Sequence, residues 1–203
     1  MIQKINETIS YIPSCSDPLS ADVGIVRGEY GFWIFDVGNG DLYADTINGL
    51  PGRKTVILSH FHPDHIANLP KIRFERCYVG GNTYKYCRCG TIADTDLYAE
   101  DGHHFHILPF PSSHAKGSLA LEVDDRYVFI GDAAGPAVKP GKRVYNTQIL
   151  IEEIRTLESL HADTVLQSHR MDTPCSRTDL IRRLKEILAG RSSNEALIEG
   201  KAF

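Results

Sequence analysis

Short runs rich in β-branched and aromatic residues recur along the chain, and each is bounded by Gly, Asp, Asn or Pro. The predicted strands span residues 23–28, 30–38, 54–60, 75–80, 105–110, 119–125, 126–132 and 163–169. Helical patterns lie between and after them, at residues 41–50, 63–72, 147–160 and 176–190. Strands that first form hairpins and then alternate with helices predict an α/β fold, an αββα sandwich of two mixed β-sheets flanked by helices.

The sequence shows no internal boundary. Its 203 residues contain no tandem repeat and no Pro/Gly/Ser-rich linker, so we predict a single domain over residues 1–203. The five cysteines are odd in number and irregularly spaced, which favours free thiols in a reducing compartment. The N-terminus lacks the apolar core of a signal peptide, and no run approaches the ~20 apolar residues of a membrane span. These features predict a cytoplasmic protein without a membrane partner.

Charge and histidine content narrow the range of functions. The 22 Lys and Arg residues and 26 Asp and Glu residues give a net charge of −4, and the charges are interspersed. This distribution argues against a nucleic-acid partner. Nine histidines are many for a chain of this length, and several share short segments with carboxylates. Metal binding is therefore the first chemistry to consider.

The segment SHFHPDH, residues 59–65, directly follows an apolar predicted strand. In extended backbone His60 and His62 point the same way, so they can share one metal. Asp64 and His65 lie beyond the following turn and can reach a second metal. A solvated loop in which Asp64 caps the next helix is the alternative. Clustered imidazoles with a carboxylate are, however, a ligand set for zinc-like ions.

This segment resembles the defining motif of the metallo-β-lactamase fold superfamily, His-x-His-x-Asp-His, which is followed at long range by a His, an Asp and a final His. The later members occur here in the same order, because PSSHAKGS contains His114, RYVFIGD ends in Asp132 and DTVLQSH ends in His169. Upstream, Asp36 in FDVGNG matches an Asp-x-Gly that supports the metal site in the family without usually binding metal. The resemblance implies the same αββα fold.

The resemblance also implies a two-metal site. The first metal would be held by His60, His62 and His114, and the second by Asp64, His65 and His169, with Asp132 bridging both. The implied cofactors are two divalent ions, with zinc as the first choice and manganese or iron as alternatives. A hydroxide bridging the two ions would attack the substrate, and the implied catalytic residues are Asp64 and Asp132.

Residues that could contact the substrate follow the candidate ligands. Four cations are candidate contacts to an anionic substrate, namely Lys139, Lys142, Arg143 and Arg170. A solvated charged surface is the alternative for all four. Cys15 lies in the connection between the first two strands, which commonly overhangs the metals in the resembling fold. An exposed loop thiol is the simpler interpretation of Cys15.

A further histidine cluster and a cysteine cluster are not predicted to bind a metal. The histidines of GHHFHILPF, residues 102–110, begin a predicted strand, but no partner ligand follows them at metal spacing. The thiols of CRC, residues 87–89, and of Cys77 make only three ligands, whereas structural zinc usually takes four. We expect these side chains to be ordinary surface or core residues.

The resemblance also narrows the reaction. Asp132 in the place of a bridging Cys, and His65 in the place of an Arg, separate the sequence from the zinc β-lactamases and are similar to glyoxalase II, lactonase and RNase Z type sites. This implies a dinuclear hydrolase of a small ester, thioester, lactone or phosphoester. The alternative is an oxidoreductase similar to the mononuclear iron persulfide dioxygenases, in which two His and one Asp bind iron. The sequence leaves the oligomeric state open.

Overall fold

The computed structural model describes residues 2–192 and 195–200. The strands are β1 (Gln3–Lys4), β2 (Ile9–Ile12), β3 (Cys15–Ser16), β4 (Leu19–Ser20), β5 (Val23–Arg27), β6 (Gly31–Phe35), β7 (Arg53–Leu58), β8 (Arg76–Val79), β9 (Thr91–Ile92), β10 (Leu97–Glu100), β11 (His104–Phe110), β12 (Ser118–Val123), β13 (Tyr127–Gly131), β14 (Ala137–Lys139), β15 (Lys142–Asn146), β16 (Thr164–Gln167), β17 (Cys175–Ser176) and β18 (Leu197–Glu199). The helices are α1 (Asp41–Gly49), α2 (Pro63–Ile66), α3 (Gly81–Cys87), α4 (Thr147–Ser159) and α5 (Arg177–Ala189). None of them, within the described residues, has both the length and the hydropathy needed to cross a membrane.

Two mixed sheets form the centre of the fold. The first has the strand order β1-β2-β5-β6-β7-β8-β9, in which β6 to β9 run parallel to one another. The second has the order β10-β11-β12-β13-β16-β17, in which β13 and β16 are the parallel pair. A smaller sheet contains β14, β15 and β18, and β3 pairs with β4.

Buried apolar side chains fill three layers around the two sheets. Alternate residues of β6 divide between two of these layers, because side chains of a strand point to opposite faces. Trp33 points between the sheets and stacks on Phe105 of the second sheet, with ring centroids 4.0 Å apart. Ile34 instead packs with Ile47 of α1 on the outer face. On the outer face of the second sheet, α4 and α5 bury one apolar side each, with Leu157 fully buried. The predicted αββα sandwich is confirmed.

The observed elements differ from the predicted ones in two helices and in several short strands. The helical pattern at residues 63–72 forms α2 and then a separate 3-10 turn, Leu69–Lys71, because Pro70 has no N–H to donate and cannot continue an α-helix from the preceding turn. The helix α3 was not predicted, since its sequence GNTYKYC lacks an apolar repeat. All eight predicted strands form, with ends shifted by up to three residues. The ten other strands, each of two to five residues, were not predicted.

The hairpin between β12 and β13 has an acidic turn. Asp124 and Asp125 have φ angles of 55° and 54°, and Arg126 N donates a hydrogen bond to Val123 O at 3.1 Å. Two left-handed central residues define a type I′ turn, which matches the twist of the flanking strands. Asp124 is further held by His104 N, which donates to its carboxylate at 2.9 Å.

We predict that Asp125→Gly is at least as stable as the natural protein and that Asp125→Ala is less stable by about 1 kcal/mol. Glycine adopts a positive φ without steric cost, Asp tolerates it, and Ala does not. Urea unfolding followed by circular dichroism measures both variants. If Asp125→Ala were as stable as Asp125→Gly, the positive φ at this position would not be a source of strain.

Candidate metal centre

Apart from His114, which lies in the connection between β11 and β12, the candidate ligands lie where parallel strands of both sheets end. Asp36 follows β6 and the segment 59–65 follows β7, and these two strands are parallel neighbours. In the second sheet Asp132 follows β13 and His169 lies just beyond β16, and these are again a parallel pair. Because parallel strands end at the same edge, each pair presents its loops together. The structure thus brings the candidate ligands from distant parts of the chain to one edge of the sandwich.

The first ligand group consists of His60, His62 and His114, whose ligand atoms lie within 4.8 Å of one another. His62 Nδ1 is 3.0 Å from His60 Nε2 and 3.0 Å from His114 Nε2. Ligand atoms bound tetrahedrally to zinc at ~2.0–2.1 Å are themselves roughly 3.3 Å apart, so this convergence fits a metal. His114 Nδ1 donates to the carbonyl of Pro136 at 3.1 Å, which leaves the Nε2 lone pair for the centre.

The second ligand group consists of Asp64, His65, Asp132 and His169, again with ligand atoms within 4.8 Å of one another. His169 Nε2 is 2.8 Å from the carboxylate of Asp64. Asp132 Oδ2 lies 3.5 Å from His65 Nε2 and 3.4 Å from Nε2 of His114 in the first group. A carboxylate that faces both groups is what a bridging ligand requires.

Two buried polar atoms at this centre also fit a cation. Among the described residues, His65 Nε2 and Asp132 Oδ1 have no hydrogen-bond partner. Buried polar atoms are normally satisfied, so orphaned ones at a cluster of ligand types point to a bound ion. The donor set, five imidazoles beside two carboxylates with Asp132 shared, suits zinc and other divalent transition metals.

The pKa directions separate the two groups. Burial and the neighbouring imidazoles lower the pKa values of His60 and His62, so the first group presents neutral rings. Burial alone would lower the pKa of His65, but the carboxylates of Asp36 and Asp132 raise it to about 10. The hydrogen bond to Asp64 raises the pKa of His169. The carboxylates of the second group therefore attract positive charge. Protonated His65 and His169 supply that charge when no metal is bound.

Asp36 and Ser59 orient imidazoles of both groups. The buried carboxylate of Asp36 accepts hydrogen bonds from Ser59 N, Ser59 Oγ and His65 Nδ1, all at 2.7 Å. The Ser59 hydroxyl gives its only proton to Asp36, so it accepts from His60 Nδ1 at 2.9 Å. Both rings then direct Nε2 at the centre. The neighbouring Gly131 is required, because a Cβ there would lie 2.7 Å from Ser59 Oγ. The sequence predicted the support by Asp36 and missed Ser59, although it adjoins the motif.

Asp22 is a second supporting residue that the sequence did not indicate. Its carboxylate accepts His169 N at 2.8 Å and Ser14 N at 3.1 Å. His169 has a φ of 57°, which is unfavourable for a residue other than glycine unless the surroundings hold it. Ala21 N, one residue before Asp22, donates to the Asp64 carbonyl at 3.0 Å. The segment before β5 therefore holds His169 and Asp64, two ligands of the second group, through hydrogen bonds to their backbone.

A cavity of about 320 Å³ adjoins the centre and is bordered by His114, Asp132 and His169. Of the four cations predicted to contact substrate, Arg143 and Arg170 line it. Lys139 and Lys142 do not line the cavity. Side chains alternate along β14 and β15, and the adjacent residues Val138 and Arg143 are the ones that face it. Lys142 instead forms an exposed ion pair with Glu199 at 3.5 Å.

Other predicted side chains also lie away from the cavity. Cys15 Sγ donates to the carbonyl of Pro18 at 2.9 Å within the β3–β4 hairpin, and Cys15 is not among the cavity residues. The histidines of residues 102–110 each pair with a carboxylate, namely His103 with Asp124, His104 with Glu100 and His106 with Glu122. Neither these histidines nor the cysteines join a ligand group among the described residues.

Solved structures similar to this chain share one fold. A B3 metallo-β-lactamase with an active-site glutamic acid is 11% identical, with a TM-score of 0.72 over 94% of this chain and 89% of its own. A metallo-β-lactamase from Pontibacter korlensis is 16% identical, with a TM-score of 0.69 over 94% and 99%. A flavo di-iron protein from Thermotoga maritima, in a variant form, is 15% identical, with a TM-score of 0.62 over 95% and 57%. No family model and no curated protein matches the sequence. The chain has the metallo-β-lactamase fold.

We predict that Asp22→Ala weakens metal binding at the second ligand group by about 10- to 100-fold, as is usual when a partner behind a ligand is lost. The His169 backbone would lose the acceptor that holds its left-handed conformation. Asp22→Asn keeps one acceptor oxygen and should recover most of the affinity. Zinc titration by calorimetry measures the loss of affinity. Unchanged zinc binding in Asp22→Ala would show that His169 is positioned without its hydrogen bond to Asp22.

Proposed function

We propose that this protein is a metal-dependent hydrolase with a dinuclear centre that acts on a small ester, thioester, lactone or phosphoester. The observation that carries the proposal is the shared carboxylate of Asp132, which lies 3.4 Å from a nitrogen of the first ligand group and 3.5 Å from one of the second. A purely structural role does not explain why two separate ligand groups share one carboxylate.

The proposed metal ligands are the residues that the structure brings together. They are His60, His62 and His114 for one ion, Asp64, His65 and His169 for the other, and Asp132 for both. Zinc is the proposed metal, since imidazole-rich sites suit it, with manganese or iron as alternatives. Two such ions would lower the pKa of a water molecule and polarise the bond to be cleaved.

The chain's own residues orient and enclose the reaction. Asp36 and Ser59 hold the rings of His60 and His65 so that Nε2 of each faces the centre. Asp64 accepts a hydrogen bond from His169 Nε2 at 2.8 Å, which fixes both side chains before a metal binds. The adjoining cavity of about 320 Å³ is at the small end of the range for ligand sites. Its size supports a small-molecule substrate.

A second candidate function is a mononuclear iron oxidoreductase that oxidises persulfides. Asp64, His65 and His169 form a set of two His and one carboxylate, which is the ligand type of many non-haem iron oxygenases. Elemental analysis of the purified protein, with a screen of chromogenic phosphodiesters, lactones and thioesters, separates the two functions. Two zinc or manganese ions with hydrolysis support the dinuclear hydrolase. One iron with oxygen consumption overturns it.

We predict that Asp132→Ala reduces the metal content from two ions towards one and lowers hydrolysis by roughly 100-fold or more, because it removes the shared ligand. The two cations would then repel each other without a carboxylate between them. His103→Ala is the control, since His103 pairs with Asp124 outside both ligand groups. An Asp132→Ala variant that keeps two ions and full turnover would contradict the dinuclear proposal.

A further inference from the structure

The cavity beside the metal centre has three kinds of wall. One edge consists of the ligands His114, Asp132 and His169. Apolar and aromatic side chains form a second part, namely Ala134, Pro136, Val138, Tyr145 and Leu180. The third part consists of three arginines, namely Arg143 on β15, Arg183 on α5 and Arg170 in the connection between β16 and β17. A molecule that fills this cavity therefore meets metal ligands, apolar surface and positive charge at once.

The arginines of this cavity come from separate parts of the fold. Arg143 lies on β15, two residues before Tyr145, so both side chains are on the same face of the strand. Arg183 lies on α5 and is largely buried, with 19% of its side chain exposed. Among the described residues that line the cavity, the one carboxylate is the candidate ligand Asp132. Positive charge that is partly removed from water attracts an anion more strongly than an exposed cation does.

Arg183 has a donor without an acceptor. Its Nη1 pairs with Asp172 at 2.6 Å, which anchors one side of the guanidinium. Its Nε is buried and has no hydrogen-bond partner among the described residues. Buried donors are normally satisfied, so an acceptor from a bound molecule would complete this group. The planar fork of arginine fits the two oxygens of a carboxylate or phosphate.

We infer that this cavity binds a small substrate with an apolar body and an oxyanion group, and that Arg183 and Arg143 bind the oxyanion while the bond to be cleaved faces the metal ligands. Arg183 is then a specificity-determining residue on α5 that no sequence motif marks. The inference rests on the proposed function, since it places the substrate between the arginines and the metal centre. The substrate class is then a small molecule with an oxyanion group.

Two thiols that differ in one group test the inference by equilibrium binding to the zinc-loaded protein. A thiolate binds zinc, so 3-mercaptopropanoate and 3-mercaptopropan-1-ol both reach the metal centre, and only the first has a carboxylate. Calorimetry gives the two dissociation constants for the natural protein. We expect 3-mercaptopropanoate to bind about 10- to 100-fold more tightly than 3-mercaptopropan-1-ol, because hydrogen bonds between charged groups are stronger than those to a neutral hydroxyl.

Variants then assign the preference to particular side chains. Arg183→Met should bring the two dissociation constants close together, Arg183→Lys should keep part of the preference, and Arg143→Met should reduce it. Arg182→Met is the matched control, because Arg182 is on the same helix and pairs with Asp179 and Glu186 outside the cavity. Unchanged zinc content and circular dichroism show which variants are folded. Arg143 is exposed, so its variant remains informative if Arg183→Met does not fold.

The outcomes separate this inference from the proposed function. Equal binding of both thiols to the natural protein, or a preference that survives both Arg183→Met and Arg143→Met, would overturn the inference and leave the metal centre intact. Failure of the natural protein to bind zinc, manganese or iron would instead overturn the proposed function. A preference that falls in the two cavity variants and remains in Arg182→Met supports the assignment of Arg183 and Arg143.

Discussion

The buried carboxylate of Asp36 is the interaction on which the rest of the candidate site depends. A carboxylate without solvent is costly, and here three hydrogen bonds, from Ser59 N, Ser59 Oγ and His65 Nδ1, offset that cost. These bonds tie the ends of β6 and β7 to α2. Because the Ser59 hydroxyl donates to Asp36, it is left to accept from His60. One buried charge thus orients rings in both ligand groups.

The sandwich itself supplies the second requirement, which is to bring loops of both sheets to one edge. The sheets are joined there, since Leu119 N of the second donates to the carbonyl of Ser59 at 2.8 Å. Gly131 allows this approach, because any side chain at that position would collide with Ser59. Close packing between rigid strand ends can hold ligand atoms within a few tenths of an ångström, which loops alone rarely achieve.

Short-range patterns predicted part of the fold and site, and the resemblance to the family's motif order predicted that His114, Asp132 and His169 join the segment 59–65. Strand alternation was sufficient to place His60 and His62 together, and apolar repeats were sufficient for α4 and α5. Asp22 could not be predicted, because its partner His169 lies 147 residues away and contributes only a backbone N–H. Arg183 could not be predicted either, since on an amphipathic helix it has the pattern of an ordinary surface charge until the packing of α5 is known.

We propose that the two ligand groups hold two ions with Asp132 between them. Anomalous X-ray diffraction from crystals of the metal-loaded protein, with data on both sides of the zinc edge, tests it most directly. We predict two anomalous peaks ~3.5 to 4 Å apart, one among His60, His62 and His114 and the other among Asp64, His65 and His169. A single peak, or peaks away from these side chains, would contradict it.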